Sequence, residues 1–125
     1  MDSMWPDFMS GDLSTPPTVI LHRQAELLTQ MTEGRLVGSV VTKALGKDFV
    51  HTLYITTPSL GDYEHLVVRV RHSMAAIYPV KLSMSEKEDR SRECTNEQEF
   101  LTLFEKILHH PQTVGPMKML YAQTA

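Results

Sequence analysis

The feature that most constrains this chain is a change of hydrophobic period near Leu36. Before it, Ile20, Gln24, Leu27, Leu28 and Met31 recur at i, i+4, i+7, i+8 and i+11, with Leu21 and Ala25 widening the stripe. That spacing is one face of an amphipathic helix. Thr15-Pro16-Pro17 reads as its start, because threonine can cap and proline in the first turn loses no needed N–H. Gly34 is placed to end it in a left-handed turn. The prediction is a helix over 16–32.

From Leu36 the period becomes two. Residues 36–44 are valine-rich, Leu45-Gly46-Lys47-Asp48 supplies a turn, and Phe49, His51, Leu53, Ile55 and Thr57 share one face of a second strand. Pro58-Ser59-Leu60-Gly61-Asp62 is the next turn, and residues 63–72 form a third strand with Leu66, Val68 and Val70 opposite Val67, Arg69 and Arg71. Links of four or five residues are too short for a parallel crossover, so neighbouring strands run antiparallel. Tyr78, Val80, Leu82 and Met84 alternate as a shorter fourth strand. Pro79 has no N–H to give a ladder, so this strand is expected at an edge or poorly paired at its start. The run at 85–93 is almost wholly charged or hydroxyl and reads as a solvated loop.

Thr95-Asn96-Glu97-Gln98 fits a capping box, with Thr95 as the cap and Gln98 reaching back. Phe100, Leu101, Phe104, Ile107 and Leu108 then form a helical stripe that His109-His110-Pro111 ends. Pro111 can open a new turn, Gly115-Pro116 interrupts it, and a last helix is expected over about 116–121. The fold class is therefore α+β: a four-stranded antiparallel meander with an N-terminal helix and one or two C-terminal helices. Leu27, Leu28, Met31, Leu53 and Ile55 or their strand neighbours, Val68, Val70, Phe100, Phe104 and Ile107 are its expected core. Residues 15–125 make one domain, preceded by an arm at 1–14 whose Trp5, Phe8 and Leu13 either fold back or dock on a partner.

The balance of twelve Lys and Arg against fifteen Asp and Glu argues against binding to nucleic acid or to an anionic membrane. One cysteine, Cys94, precludes an internal disulfide and points to a reducing compartment. No apolar run approaches the ~20 residues of a membrane span, and the arm lacks the basic start of a signal peptide. The cytoplasm is the expected location.

Catalytic motifs are missing from the sequence. No G-x-S-x-G elbow, G-x-G-x-x-G or G-x4-G-K-[ST] loop occurs, and Cys94 has no framing partner. His51, His65 and His72 fall in the sheet and could converge, but no His-x-His or His-x3-His pair anchors a metal. The expectation is no catalytic residue, no metal and no cofactor, and an enzyme is the less favoured reading.

One surface carries specific chemistry. If Leu66, Val68 and Val70 face the helices, then Tyr63, His65, Arg69 and Arg71 share the other face, with His51 near them. Guanidinium, imidazole and phenol together suit a carboxylate-rich partner. Trp5 and Phe8 are the second expected contact. The element order resembles that of double-stranded-RNA-binding domains in topology alone. The basic cluster with which such domains open their last helix is replaced by Thr95-Asn96-Glu97-Gln98-Glu99, which repels phosphate. The order also resembles small bacterial secretion chaperones and toxin-immunity proteins, and that resemblance implies a sheet that binds a protein partner. A non-catalytic protein-binding accessory is the leading expectation, with a protein partner or a homodimer. A small ligand-binding protein or enzyme using the polar sheet face is the alternative, and nucleic-acid binding ranks last.

Overall fold

The computed structural model describes residues 2–9, 15–85 and 90–124. It contains α1 (Pro17–Met31), β1 (Val37–Leu45), β2 (Asp48–Thr57), β3 (Tyr63–Ser73), β4 (Val80–Ser83), β5 (Arg92–Cys94), α2 (Glu97–Leu108) and α3 (Pro111–Gln123), with a 3-10 turn at Pro58–Leu60. The strands make one antiparallel meander in the order β1-β2-β3-β4-β5. The fold is α+β, with five strands where four are predicted. β5 comes from the end of the charged run, and residues 86–89 of that run lie outside the described residues. With β5 in place β4 is interior, contrary to the edge reading. Pro79 is no obstacle, because it precedes Val80, the first residue paired with both neighbours.

The helices pack on one face of the sheet. That face buries Leu53 and Ile55 of β2, Val68 and Val70 of β3, Val80 and Leu82 of β4 and Cys94 of β5 against Phe100, Phe104 and Ile107 of α2. In the α1 part of the expected core, Leu28 packs partly buried against the cluster, but the rotation of the helix differs from that expected. Leu21 and Ala25 are buried, whereas Leu27 and Met31 are 37% and 76% exposed. Gly38 explains the turn of the helix. A Cβ there would stand 2.6 Å from the Ala25 Cα, so α1 meets β1 through its smallest side chain. The larger residues swing aside and wall an apolar cavity of about 370 Å³ with Leu53, Val67, Leu108 and Met117.

Two threonines weld α1 to β1. Thr29 Oγ1 accepts the Gly38 N–H at 3.0 Å, and Thr32 Oγ1 accepts the Leu36 N–H at 3.1 Å. The helix ends as expected near Gly34, but the left-handed turn begins one residue earlier, with φ of 54° at Glu33 and 80° at Gly34. Gly34 N–H then bonds Thr29 O and Glu33 N–H bonds Gln30 O, a Schellman closure.

The cap of α2 is one residue later than predicted. Asn96 Oδ1 accepts the Glu99 N–H, and the Glu99 carboxylate accepts from both the N–H and the hydroxyl of Thr95. Asparagine is the stronger cap, and a carboxylate at the third position accepts a charge-assisted bond that Gln98 cannot. His109 and His110 divide the next boundary. His109 Nδ1 bonds Glu105 O, and His110 Nδ1 accepts the Gln112 N–H. α3 therefore starts at Pro111 and runs through Pro116, against the expected break. Pro116 forfeits one backbone bond, while tertiary contacts on either side hold the helix. Thr113 and Leu120 are buried, and Arg35 bonds Tyr121 and Thr124 with its guanidinium 4.0 Å above the Tyr121 ring.

Candidate functional site

The candidate site residues are distributed by a bulge. β2 and β3 pair Leu53 with Val68, then Tyr54 with Leu66, leaving Val67 as the extra residue. Side chains alternate along a strand, so one inserted residue exchanges the faces of everything beyond it. Val67 is buried on the helix side. Tyr63 and His65 pair with Thr57 and Ile55, which places them on the helix side too. Arg69 and Arg71 pair with Thr52 and Val50 on the open side, and Leu66 joins them there. The predicted group of Tyr63, His65, Arg69 and Arg71 is thus split between two faces.

His51 is also on the helix side, 4% exposed. Its Nδ1 is 2.8 Å from Thr42 Oγ1, and its Nε2 is 2.7 Å from His72 Nε2 and 3.1 Å from Thr18 Oγ1. The two imidazoles stack at 4.9 Å, with the Phe49 ring about 6 Å from each. The protons follow from the acceptors. His72 Nδ1 faces Ser73 O at 2.9 Å and Ala76 O at 3.2 Å, so Nδ1 carries its hydrogen and its Nε2 accepts. His51 Nε2 then donates to His72, and Thr42 donates to His51 Nδ1. Burial, then the charges of His72 and His22, push His51 down to about 4, so it is neutral at pH 7. Among the described residues, no carboxylate or thiol joins this network, whose bonds tie α1 to three strands.

Tyr63 and His65 sit at the far end of the sheet beside Leu60 and the α3 residues Pro116 and Met119. Burial lowers the His65 pKa. Cys94 is buried, and burial followed by the charges of Glu99 and Glu93 raises its pKa, which makes it a poor nucleophile. Among the described residues, no group of three or more His, Cys, Asp or Glu is placed to hold a metal ion. None of the described helices is long and apolar enough to cross a membrane.

The open face has a feature that periodicity alone does not reveal. Between β1, β2 and β3 lies a groove of about 350 Å³ walled by Val41, Leu45, Val50, Tyr54 and Leu66, with Thr52 and Ala44 in its lining. Among the described residues its charged lining is Lys43 and Arg69, both cations. Val50 is 5% exposed although none of the described helices covers this face, because Lys43 and Arg71 flank it in register on the neighbouring strands. Arg71 is held to Asp48 at 2.7 Å. The signal for the groove is the alternation of Val41, Lys43 and Leu45 in the first strand, which becomes informative only once the turn at Gly46-Lys47 fixes which residues of β2 and β3 lie beside them. Trp5 and Phe8 stand in the arm, 81% and 66% exposed, so they do not pack on the domain, and Leu13 lies outside the described residues.

Comparison with protein-family models, curated proteins and solved structures finds no match to this chain. The functional reading therefore rests on the geometry. Among the described residues, the groove's lining offers two hydroxyls and two cations, and no imidazole, thiol or carboxylate for acid–base or nucleophilic work. What it can do is bury apolar side chains beside a negative charge.

Proposed function

We propose that this chain is a non-catalytic protein-binding module, a small cytoplasmic accessory of the chaperone-like or immunity-like kind, and that it works through the groove on the open sheet face. The observation that carries the reading is the composition of that groove: apolar and aromatic walls beside Lys43 and Arg69, on the face opposite the described helices. Such a surface fits an extended segment with one or two large apolar side chains next to a carboxylate. The apolar contacts supply affinity, and the cations supply register and orientation. Arg69 keeps the role expected of it, now with Lys43 and Tyr54 as its companions in place of His51 and Tyr63. A nucleic-acid partner is disfavoured by the acidic first turn of α2, which carries Glu97 and Glu99.

The test is capture of partners from the native host by the full chain, in parallel with Lys43→Glu and Tyr54→Ala. The expected result is a partner retained by the wild type and weakened about tenfold or more by each substitution, with unchanged circular dichroism. If every captured protein is retained equally by all three forms, the groove is not the binding surface. A small-ligand reading has one supporting observation, the apolar cavity beneath α1. It is checked by titration with apolar fluorescent probes, whose binding should then respond to Leu28→Trp and not to Lys43→Glu.

A further inference from the structure

We propose that the open-face groove of one chain receives the N-terminal arm of a second copy, so that two chains exchange arms in a reciprocal homodimer. The inference rests on the groove being a peptide-binding surface, and it names the first ligand of that surface.

Charge is the first argument. Up to His22 the chain has three carboxylates, Asp2, Asp7 and Asp12, and no Lys or Arg. Since the net charge of the whole chain is −3, the arm holds all of the imbalance and the remainder is neutral. Among the described residues, the charged groups lining the groove are Lys43 and Arg69, both cations.

The second argument is apolar surface. Met4, Trp5, Phe8 and Met9 are between 66% and 93% exposed, an unusual concentration of large apolar groups in water. The backbone of the arm is shaped by its own side chains: the Trp5 N–H donates to Ser3 Oγ, and the Met9 N–H donates to the Asp7 carboxylate. These local turns present the two aromatic rings outward. Trp5 and Phe8 are the residue types that anchor interfaces, and Asp7 stands between them. In the proposed complex an indole or phenyl ring lies against the Tyr54, Val41 and Leu66 walls, with the Asp7 carboxylate beside Lys43.

The third argument selects a second copy over the chain's own arm. Thr15 is held on the helix side of the sheet, where its N–H donates to the Glu97 carboxylate at 2.6 Å. The seven residues from there to Phe8 span at most about 25 Å. To reach its own groove the arm must pass from the helix side of the sheet around to the open face. A neighbouring molecule accepts the arm without that detour. Exchange about a two-fold axis then forms two identical contacts for one loss of translational freedom.

Trp5 is the only tryptophan in the chain, so its fluorescence reports on the arm alone. The experiment is a dilution series of the full-length protein, read by light scattering and by Trp5 emission. The mass is expected to double with concentration while the emission moves to shorter wavelength, both with one midpoint. Raising the salt, Phe8→Ala and Lys43→Glu should each move that midpoint to about tenfold higher concentration or more, salt because it screens the charges. Asp7→Lys combined with Lys43→Glu should recover part of the loss. Phe8 and Lys43 are exposed, so neither substitution threatens folding. A monomer at every concentration with solvent-exposed Trp5 emission overturns the inference. A blue shift that ignores dilution assigns the groove to the chain's own arm and overturns it as well. So does a dimer indifferent to Phe8→Ala and Lys43→Glu, which must use another surface. The protein-binding reading stands apart from these outcomes: it survives if Lys43→Glu still costs the chain a host partner, and falls with the dimer if it costs nothing.

Discussion

His51 shows how a single residue sets the response to acid. Its imidazole is buried against His72, and its pKa falls from 6.5 to about 4 on folding. The folded value lies below the unfolded one, so the native state prefers the neutral ring. Its stabilisation is complete above pH 6.5 and is lost progressively as the pH falls toward 4. A shift of this size corresponds to about 3 kcal/mol. Burial lowers the His65 pKa in the same sense and adds to the loss. Urea midpoints measured from pH 8 to pH 4 are expected to drop across that window, and His51→Gln to flatten the slope whatever it does to the absolute stability. An unchanged slope would place the sensitivity elsewhere. Thr113 makes the converse case. Its hydroxyl is buried with no hydrogen-bond partner among the described residues. Thr113→Val keeps the shape and removes the unmet donor, so it should raise stability by about 1 kcal/mol, seen as a higher melting temperature.

At the scale of elements, the seat of α1 on β1 depends on two small residues in contact. Ala25 Cα, O and Cβ all lie within 2.8 Å of the position a Gly38 side chain would occupy. These atoms are mostly backbone and cannot turn away, so Gly38→Ala must push the helix off the strand. A loss of about 1–3 kcal/mol is expected, measurable as a lower denaturation midpoint. Moving α1 also strains the Thr29 and Thr32 bonds to β1. The β3 bulge is the second decisive element. It lets Val67 and Val68 both face the core, closing the sheet under α1 at the cost of regular alternation. It also separates Tyr63 and His65 from Arg69 and Arg71. A period-two reading carried straight through residues 63–72 assigns half of that strand to the wrong face, and no glycine or proline near Val67 advertises the insertion.

Over the whole molecule, the packed core and the open groove occupy opposite faces of one sheet. Phe104 lies 2% exposed beside Phe100, their rings 5.5 Å apart. Phe104→Ala is therefore expected to cost about 3–5 kcal/mol, while Lys43→Glu on the open face should stay within about 0.5 kcal/mol. Chemical denaturation of the two variants checks the separation, and a large loss at Lys43 would show that the groove also holds the fold together. The α+β class, the meander order, the extent of α1 and α2 and most of the core in the strands and α2 are all legible in the sequence. They depend on periodicity and on link lengths, which are local properties of the chain. The sequence places the cap of α2 one residue too early and makes α3 too short, because a proline penalty of a few kcal/mol yields to contacts such as Arg35 with Tyr121 that join residues far apart. The rotation of α1, the fifth strand and the bulge are decided by the tertiary structure. Each is settled by which surfaces fit together once the strands have paired: a missing side chain at Gly38, an unfilled row of bonds along β4, and room for Val67 under α1. The groove belongs with them, because Lys43, Tyr54 and Arg69 lie on three strands and become neighbours only through the register that the turns and the bulge impose.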